Sequence, residues 1–158
     1  TVYVYDPFIK DKEIEKANCV PISKNDGIEI SDFITIHLPL NADTKNFISE
    51  NEFSKMKKSV VIVNAARGGI INENALVSAL SNKTIRAAAL DVYEQEPPPD
   101  NHPIFGFSNV LLSPHNSALT LECRRRMAIE AAESILYYLS DKSKLNFNNI
   151  INKDVLNI

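Results

Sequence analysis

The chain has 158 residues, 44% of them hydrophobic, which is enough for one domain with a core and too apolar for disorder. Its net charge is -3 and it has no long basic run, so neither nucleic acid nor an anionic membrane surface is expected as a partner. No apolar run reaches the roughly 18 residues that a bilayer-spanning helix needs.

The first element is the strand "TVYVY", which ends at Asp6. It opens on Thr1 rather than Met, and the chain is expected to be a piece of something larger. "DKEIEKA" follows as a short helix and "NCVPI" as a weak strand. "DFITIHL" is a stronger strand, rich in β-branched residues and leading to Leu38 and Pro39. In "SENEFSKMKK" Ser49 and Glu52 have capping-box spacing for a helix. "SVVIVNA" is a buried strand that runs into Ala65, Ala66 and Arg67. The helix "NENALVSALSNK" has Asn72 as N-cap, with Ala75, Leu76, Ala79 and Leu80 on one face. "RAAALDV" is the next strand, followed by Glu94, Glu96 and the run Pro97, Pro98 and Pro99. "NVLLSP" is the last strand and delivers His115. A long helix over "TLECRRRMAIEAAESILYYLSDK" has Thr120 as N-cap. Its apolar stripe is Met127, Ala131, Ile135 and Tyr138, and Arg124 to Arg126 face water. The Asn-rich tail does not continue the pattern.

Strand alternating with helix implies parallel pairing, because a parallel pair needs a long crossover. The expected fold is therefore α/β, a doubly wound parallel sheet covered on both faces. In such sheets ligands bind beyond the carboxyl ends of the strands. Asp6, Arg67, Asp91, Glu96 and His115 all fall just after a strand.

Their chemistry is complementary. A guanidinium at Arg67, flanked by Gly68 and Gly69, can hold a carboxylate through two parallel hydrogen bonds. An imidazole at His115 can give or take a proton near neutral pH. A carboxylate at Glu96 can fix the tautomer of that imidazole and stabilise its charged form. Together they suit reduction of a 2-keto acid by hydride. Asp6 stands where a dinucleotide site places its ribose-binding acid, which favours NAD over NADP. Glu94 is expected to face water, and His37 and His102 to be structural. Cys19 and Cys123 lack metal-ligand spacing and are expected to be reduced thiols in a cytoplasmic protein, with no metal site.

The ordered stretches "VIVNAARGGIINENALVSAL", "AAALDVYEQEPPP" and "VLLSPHNSALT" resemble the D-isomer-specific 2-hydroxyacid dehydrogenases, phosphoglycerate dehydrogenase among them. The resemblance runs from the first strand to the end of the long helix. It implies a Rossmann-like NAD-binding domain over 1–140, with 141–158 as a tail or a segment returning to a substrate domain. It carries the catalytic roles to Arg67, Glu96 and His115. It makes His115 the acid/base, Glu96 the group that raises its proton affinity, and Arg67 the ligand of the substrate carboxylate and keto oxygen. Cofactor contacts are implied at Asp6, Leu38, Pro39, Ala65, Ala66, Arg67, Asp91, His115, Ser117 and Ala118.

The sequence departs from the family at Asn116 and Ser117, where small or apolar residues and Gly or Ala are usual. It also has four glycines and no G-x-G-x-x-G, so by resemblance it lacks the first strand and the glycine-rich loop of the cofactor domain. The expected function is NAD-dependent interconversion of a D-2-hydroxy acid and a 2-keto acid, in a homodimer. An NAD-sensing corepressor-like binding protein and a non-catalytic fragment are the alternatives.

Overall fold

Short runs of Val, Ile and Ala bury readily on both faces, and they form the parallel strands here. The structure, a computed structural model, describes residues 1–152. The strands are β1 (Tyr3–Val4), β2 (Val20–Pro21), β3 (Phe33–Ile36), β4 (Val61–Asn64), β5 (Ala87–Leu90) and β6 (Val110–Leu112). Between them stand α1 (Asp11–Lys16), α2 (Lys24–Ile30), α3 (Glu50–Lys55) and α4 (Glu73–Ser81), and α5 (Leu121–Ser140) follows β6. A 3-10 turn at Pro103–Gly106 precedes β6.

The expected parallel α/β sheet is present as four strands in the order β3-β4-β5-β6. Its register pairs Asn64 with Leu90 and Leu90 with Leu112, so the three strands end in one row. β1 and β2 form a separate parallel pair. A groove of about 590 Å³ lies between β1 and β3 and is lined by residues of both, including Tyr3, Val4, Phe33 and Thr35. The one expected sheet is thus divided at this groove.

The core sits on the four-stranded sheet. Val60, Ile62, Ile70 and Leu76 are fully buried, and Phe53 from α3 packs among them. α4 buries Ala75, Leu76, Ala79 and Leu80, the face its periodicity marks, and Asn72 caps it by accepting the Ala75 N–H at 2.9 Å. At α3 the Glu52 carboxylate accepts the Ser49 N–H at 3.0 Å.

α2 was not expected. Its sequence, "KNDGIEI", holds Asn, Asp and Gly, all poor helix formers. Ser23 nonetheless caps it, accepting the Asp26 N–H at 3.1 Å, and Ile28 is buried. The cap and the burial outweigh the weak propensity.

The chain forms two compact units, Thr1–Asn116 and Ser117 onward. In the second, Thr120 caps α5 by accepting the Cys123 N–H at 3.1 Å. No α5 residue is buried, and Met127, Ile135 and Tyr138 of the expected stripe are exposed. Two 3-10 turns, Lys142–Lys144 and Phe147–Asn149, follow. Part of the tail expected to return to another domain, from Lys153 on, lies outside the described residues. No helix among those residues is long and apolar enough to cross a membrane.

Candidate active site

The loops leaving β4, β5 and β6 start from one row, so their side chains are gathered by register. β4 ends at Asn64, which is 2% exposed and organises the turn after it. Its Nδ2 donates to the Arg67 carbonyl at 2.9 Å, and its Oδ1 accepts the Ala66 N–H at 3.1 Å. Ala65 and Ala66 are half-buried within this turn, and Arg67 is exposed, with Nη1 donating to the Ala66 carbonyl at 2.6 Å. Gly68 then passes so close to the next loop that a Cβ there would lie 1.8 Å from the Tyr93 carbonyl oxygen. Only glycine fits such an approach.

β5 leads to Asp91, a carboxylate only 4% exposed. Its Oδ1 accepts the Ser113 hydroxyl at 2.6 Å and the Asn116 N–H at 2.9 Å, tying the β5 loop to the β6 loop. The Tyr93 hydroxyl adds a second tie, donating to the Ser113 carbonyl at 3.1 Å. Burial pushes the Tyr93 hydroxyl pKa up, and the negative charge of Asp91 adds to it.

Glu96 stands at the centre. Its Oε1 accepts the Tyr93 N–H at 3.1 Å, and its Oε2 lies 2.7 Å from Nδ1 of His115. The hydrogen bond from His115 holds the Glu96 carboxyl below the usual carboxylate range, helped by the Tyr93 N–H and then by the charges of His115 and Arg67. An ionised Glu96 accepts, so Nδ1 of His115 carries the hydrogen and Nε2 is left as the nitrogen for proton exchange. His115 has a φ of 55°, in the left-handed region where a residue with a Cβ costs about 1–2 kcal/mol. Asp91 on the following N–H and Glu96 on the ring hold it there.

Of the expected residues, Arg67, Asp91, Glu96 and His115 are thus brought to one sheet edge. Leu38 follows β3, whose last residue Ile36 pairs with Asn64 in the same row, and with Asp6 it lines the groove between β1 and β3. Asp6 Oδ1 accepts the Phe8 and Ile9 N–H groups at 2.8 and 3.2 Å, which forms the turn after β1. Pro39 follows Leu38 on the loop after β3, its carbonyl accepting the Thr44 hydroxyl at 2.6 Å. Ser117 and Ala118 stand on the turn before α5, in the second unit. A further cavity of about 560 Å³ is lined by Ser59, Arg86 and Asn109 at the opposite sheet edge, away from every expected residue.

Some residues were not singled out from sequence. Tyr93 and Ser113 support the loops through contacts made across strands, and Asn64 supports its own turn. Glu94 is exposed as expected, yet it does more than face water: its N–H donates to Glu73 Oε1 at 2.7 Å, and its own Oε1 accepts the Glu73 N–H at 3.0 Å. His102 Nε2 lies 3.0 Å from Glu73 Oε2. His37 Nε2 lies 3.0 Å from the Thr35 hydroxyl. Asn116 meets Asp91 through its backbone, a contact that does not depend on its departure from the usual side chain.

Comparison with known proteins gives the family of the chain. Residues 1–117 match the model of the D-isomer specific 2-hydroxyacid dehydrogenase, NAD binding domain. The chain belongs to this family. A glyoxylate reductase of Aeropyrum pernix is 40% identical over 156 residues, covering 98% of this chain and 46% of the relative. A D-3-phosphoglycerate dehydrogenase of Methanocaldococcus jannaschii is 41% identical over 150 residues, 94% of this chain and 28% of the relative. This family member therefore spans less than half the length of these two relatives. Among solved structures, D-lactate dehydrogenase with NAD+ from Lactobacillus jensenii aligns with a TM-score of 0.81 at 27% identity, over 87% of this chain and 45% of that one.

Proposed function

We propose that this chain supplies the cofactor-binding and acid–base part of an NAD-dependent enzyme that interconverts a 2-keto acid and a D-2-hydroxy acid, phosphoglycerate dehydrogenase-like in its substrate class. The observation that carries this reading is the 2.7 Å contact between Glu96 Oε2 and His115 Nδ1, at the strand ends where Arg67 also stands.

The donor set fits the cofactor. Asp6 keeps a carboxylate oxygen, Oδ2, beyond the two N–H groups bound to Oδ1, and a carboxylate is the acceptor that ribose hydroxyls need. Leu38 lines the same groove as an apolar wall. Ala65, Ala66 and Asp91 would meet the cofactor from the β4 and β5 loops, with Pro39 adding a contact from the loop after β3. When bound, NADH supplies the hydride that the keto carbon accepts.

The chain's own residues do the rest. The Arg67 guanidinium binds the substrate carboxylate and orients the keto oxygen. His115 gives its Nε2 proton to that oxygen as it becomes an alcohol. Glu96 holds the ring in position and stabilises the imidazolium before the transfer. In the reverse direction Nε2 takes the hydroxyl proton. The unpaired thiols of Cys19 and Cys123 suit a reducing, cytoplasmic setting, and a homodimer completes the reading.

The test uses the enzyme that carries this chain, assayed by NADH absorbance on glyoxylate, pyruvate and the 2-keto form of 3-phosphoglycerate. His115→Asn is expected to lower turnover by roughly 10²–10⁴-fold while calorimetry finds NAD binding intact. Turnover equal to that of the unmodified enzyme removes His115 from the mechanism. NAD binding with no turnover on any keto acid favours a sensing role instead.

A further inference from the structure

One carboxylate grips both ends of the loop that presents Glu96. Glu73 is the first residue of α4. Its Oε1 accepts the Glu94 N–H at 2.7 Å, where the loop begins. Its Oε2 lies 3.0 Å from Nε2 of His102, where the loop ends. Glu94 returns the contact, its Oε1 accepting the Glu73 N–H at 3.0 Å.

The His102 tautomer is set from the other side of the ring. Nδ1 accepts the Ile104 N–H at 3.3 Å, so the hydrogen sits on Nε2 and is donated to Glu73. The His102 N–H also donates to the Pro99 carbonyl at 2.9 Å, and the Phe105 ring packs edge-on with centroids 5.9 Å apart. The side chains of His102 and Glu73 are 13% and 16% exposed, against 47% and 37% for His115 and Glu96. The sheltered pair therefore anchors the loop, and the exposed pair is what the loop presents. Pro97, Pro98 and Pro99 stiffen the span between the anchors, so a shift at either end is passed along it rather than absorbed.

We propose that Glu73 and His102 are positioning residues that clamp the two ends of this loop and so hold the Glu96 carboxylate against His115. The inference rests on the reading that Glu96 orients His115. Neither clamp residue touches the reacting atoms. Releasing the clamp lets the loop ends part and weakens a contact that Glu96, on an exposed loop, otherwise supports through the Tyr93 N–H.

The test is the titration of the Glu96 carboxyl carbon by NMR, in this chain. His115→Ala, the reference, is expected to move the Glu96 midpoint upward toward the ordinary carboxylate range. Glu73→Ala and His102→Leu are expected to move it in the same direction, by no more than the reference does. His102→Gln keeps a donor at the right reach and is expected to titrate as the unmodified chain does. If the reference rises while Glu73→Ala and His102→Leu stay with the unmodified chain, the clamp is overturned and the pair stands. If the reference itself does not move, the pair is wrong and the clamp falls with it. Should Glu73→Ala lose its fold, as amide dispersion would reveal, His102→Leu decides on the same terms. A purely structural role would lower the melting temperature of these variants without moving the titration.

Discussion

Asp91 holds the backbone N–H of Asn116 at 2.9 Å, and in doing so fixes the residue before it, His115, in its left-handed conformation. The same oxygen takes the Ser113 hydroxyl at 2.6 Å. Asp91→Ala would leave the half-buried Ser113 hydroxyl and the Asn116 N–H without this acceptor. We expect a loss of about 2–4 kcal/mol in urea unfolding, with faster hydrogen exchange at Asn116. Stability within error of the unmodified chain would mean that water replaces the carboxylate without cost.

The Glu96 carboxyl is held low chiefly by its hydrogen bond from His115. A depressed carboxyl stabilises the fold above its ordinary pKa, and that contribution fades as pH falls through the lower folded value. The window therefore lies below the ordinary carboxylate range. Both partners are well exposed, so the gain in stability is slight and the value of the pair is orientation. Near neutral pH, denaturant unfolding of Glu96→Gln is expected to differ little from that of the unmodified chain. A fall of several kcal/mol would show the pair to be a structural anchor instead.

Arg67→Lys tests geometry rather than charge. The exposed guanidinium follows a turn pinned by Asn64, and lysine there keeps the positive charge but loses the planar fork. In the enzyme carrying this chain we expect a raised KM together with a lowered turnover. The loss in kcat/KM is of order 10–100-fold, the equivalent of one or two charge-assisted hydrogen bonds. Kinetics on a keto acid substrate decide, and an unchanged KM would remove Arg67 from carboxylate binding.

Gly68→Ala sets the β4 loop against the β5 loop. The added carbon would lie 1.8 Å from the Tyr93 carbonyl oxygen and 2.7 Å from the Glu94 nitrogen, both backbone. Since backbone cannot swing aside as a flexible side chain can, we expect at least about 3 kcal/mol of destabilisation in denaturant unfolding. A loss under 1 kcal/mol would mean that the two loops separate freely.

Periodicity and strand order made much of the fold legible. The β4 and β5 runs, the α4 face and the Thr120 cap follow from local rules, and placing polar residues after strands pointed to one sheet edge. Contacts that join distant segments were not legible. Glu94 and Glu73 are far apart in sequence, and their exchange exists because α4 and the β5 loop start beside each other. Likewise, no local pattern announces that Asn64 is buried to cap the Arg67 turn. α2 was hidden because its propensity is poor and its support comes from Ser23 and from packing. The division of the sheet at the groove was equally invisible, since the runs for β1 and β3 say nothing of which strand lies beside which.

The row formed by Asn64, Leu90 and Leu112 has a consequence for how the chain tolerates insertions and deletions. Adding one residue inside β6 would advance everything after it by about 3.3 Å and turn each side chain to the opposite face. His115 would leave Glu96 even with the rest of the sheet undisturbed. The connections entering the strands, such as residues 82–86 and 107–109, sit at the other end of the ladder and carry none of these groups. Length can drift at that end across descendants of this chain, while at the departing end the count of residues is as fixed as their identity.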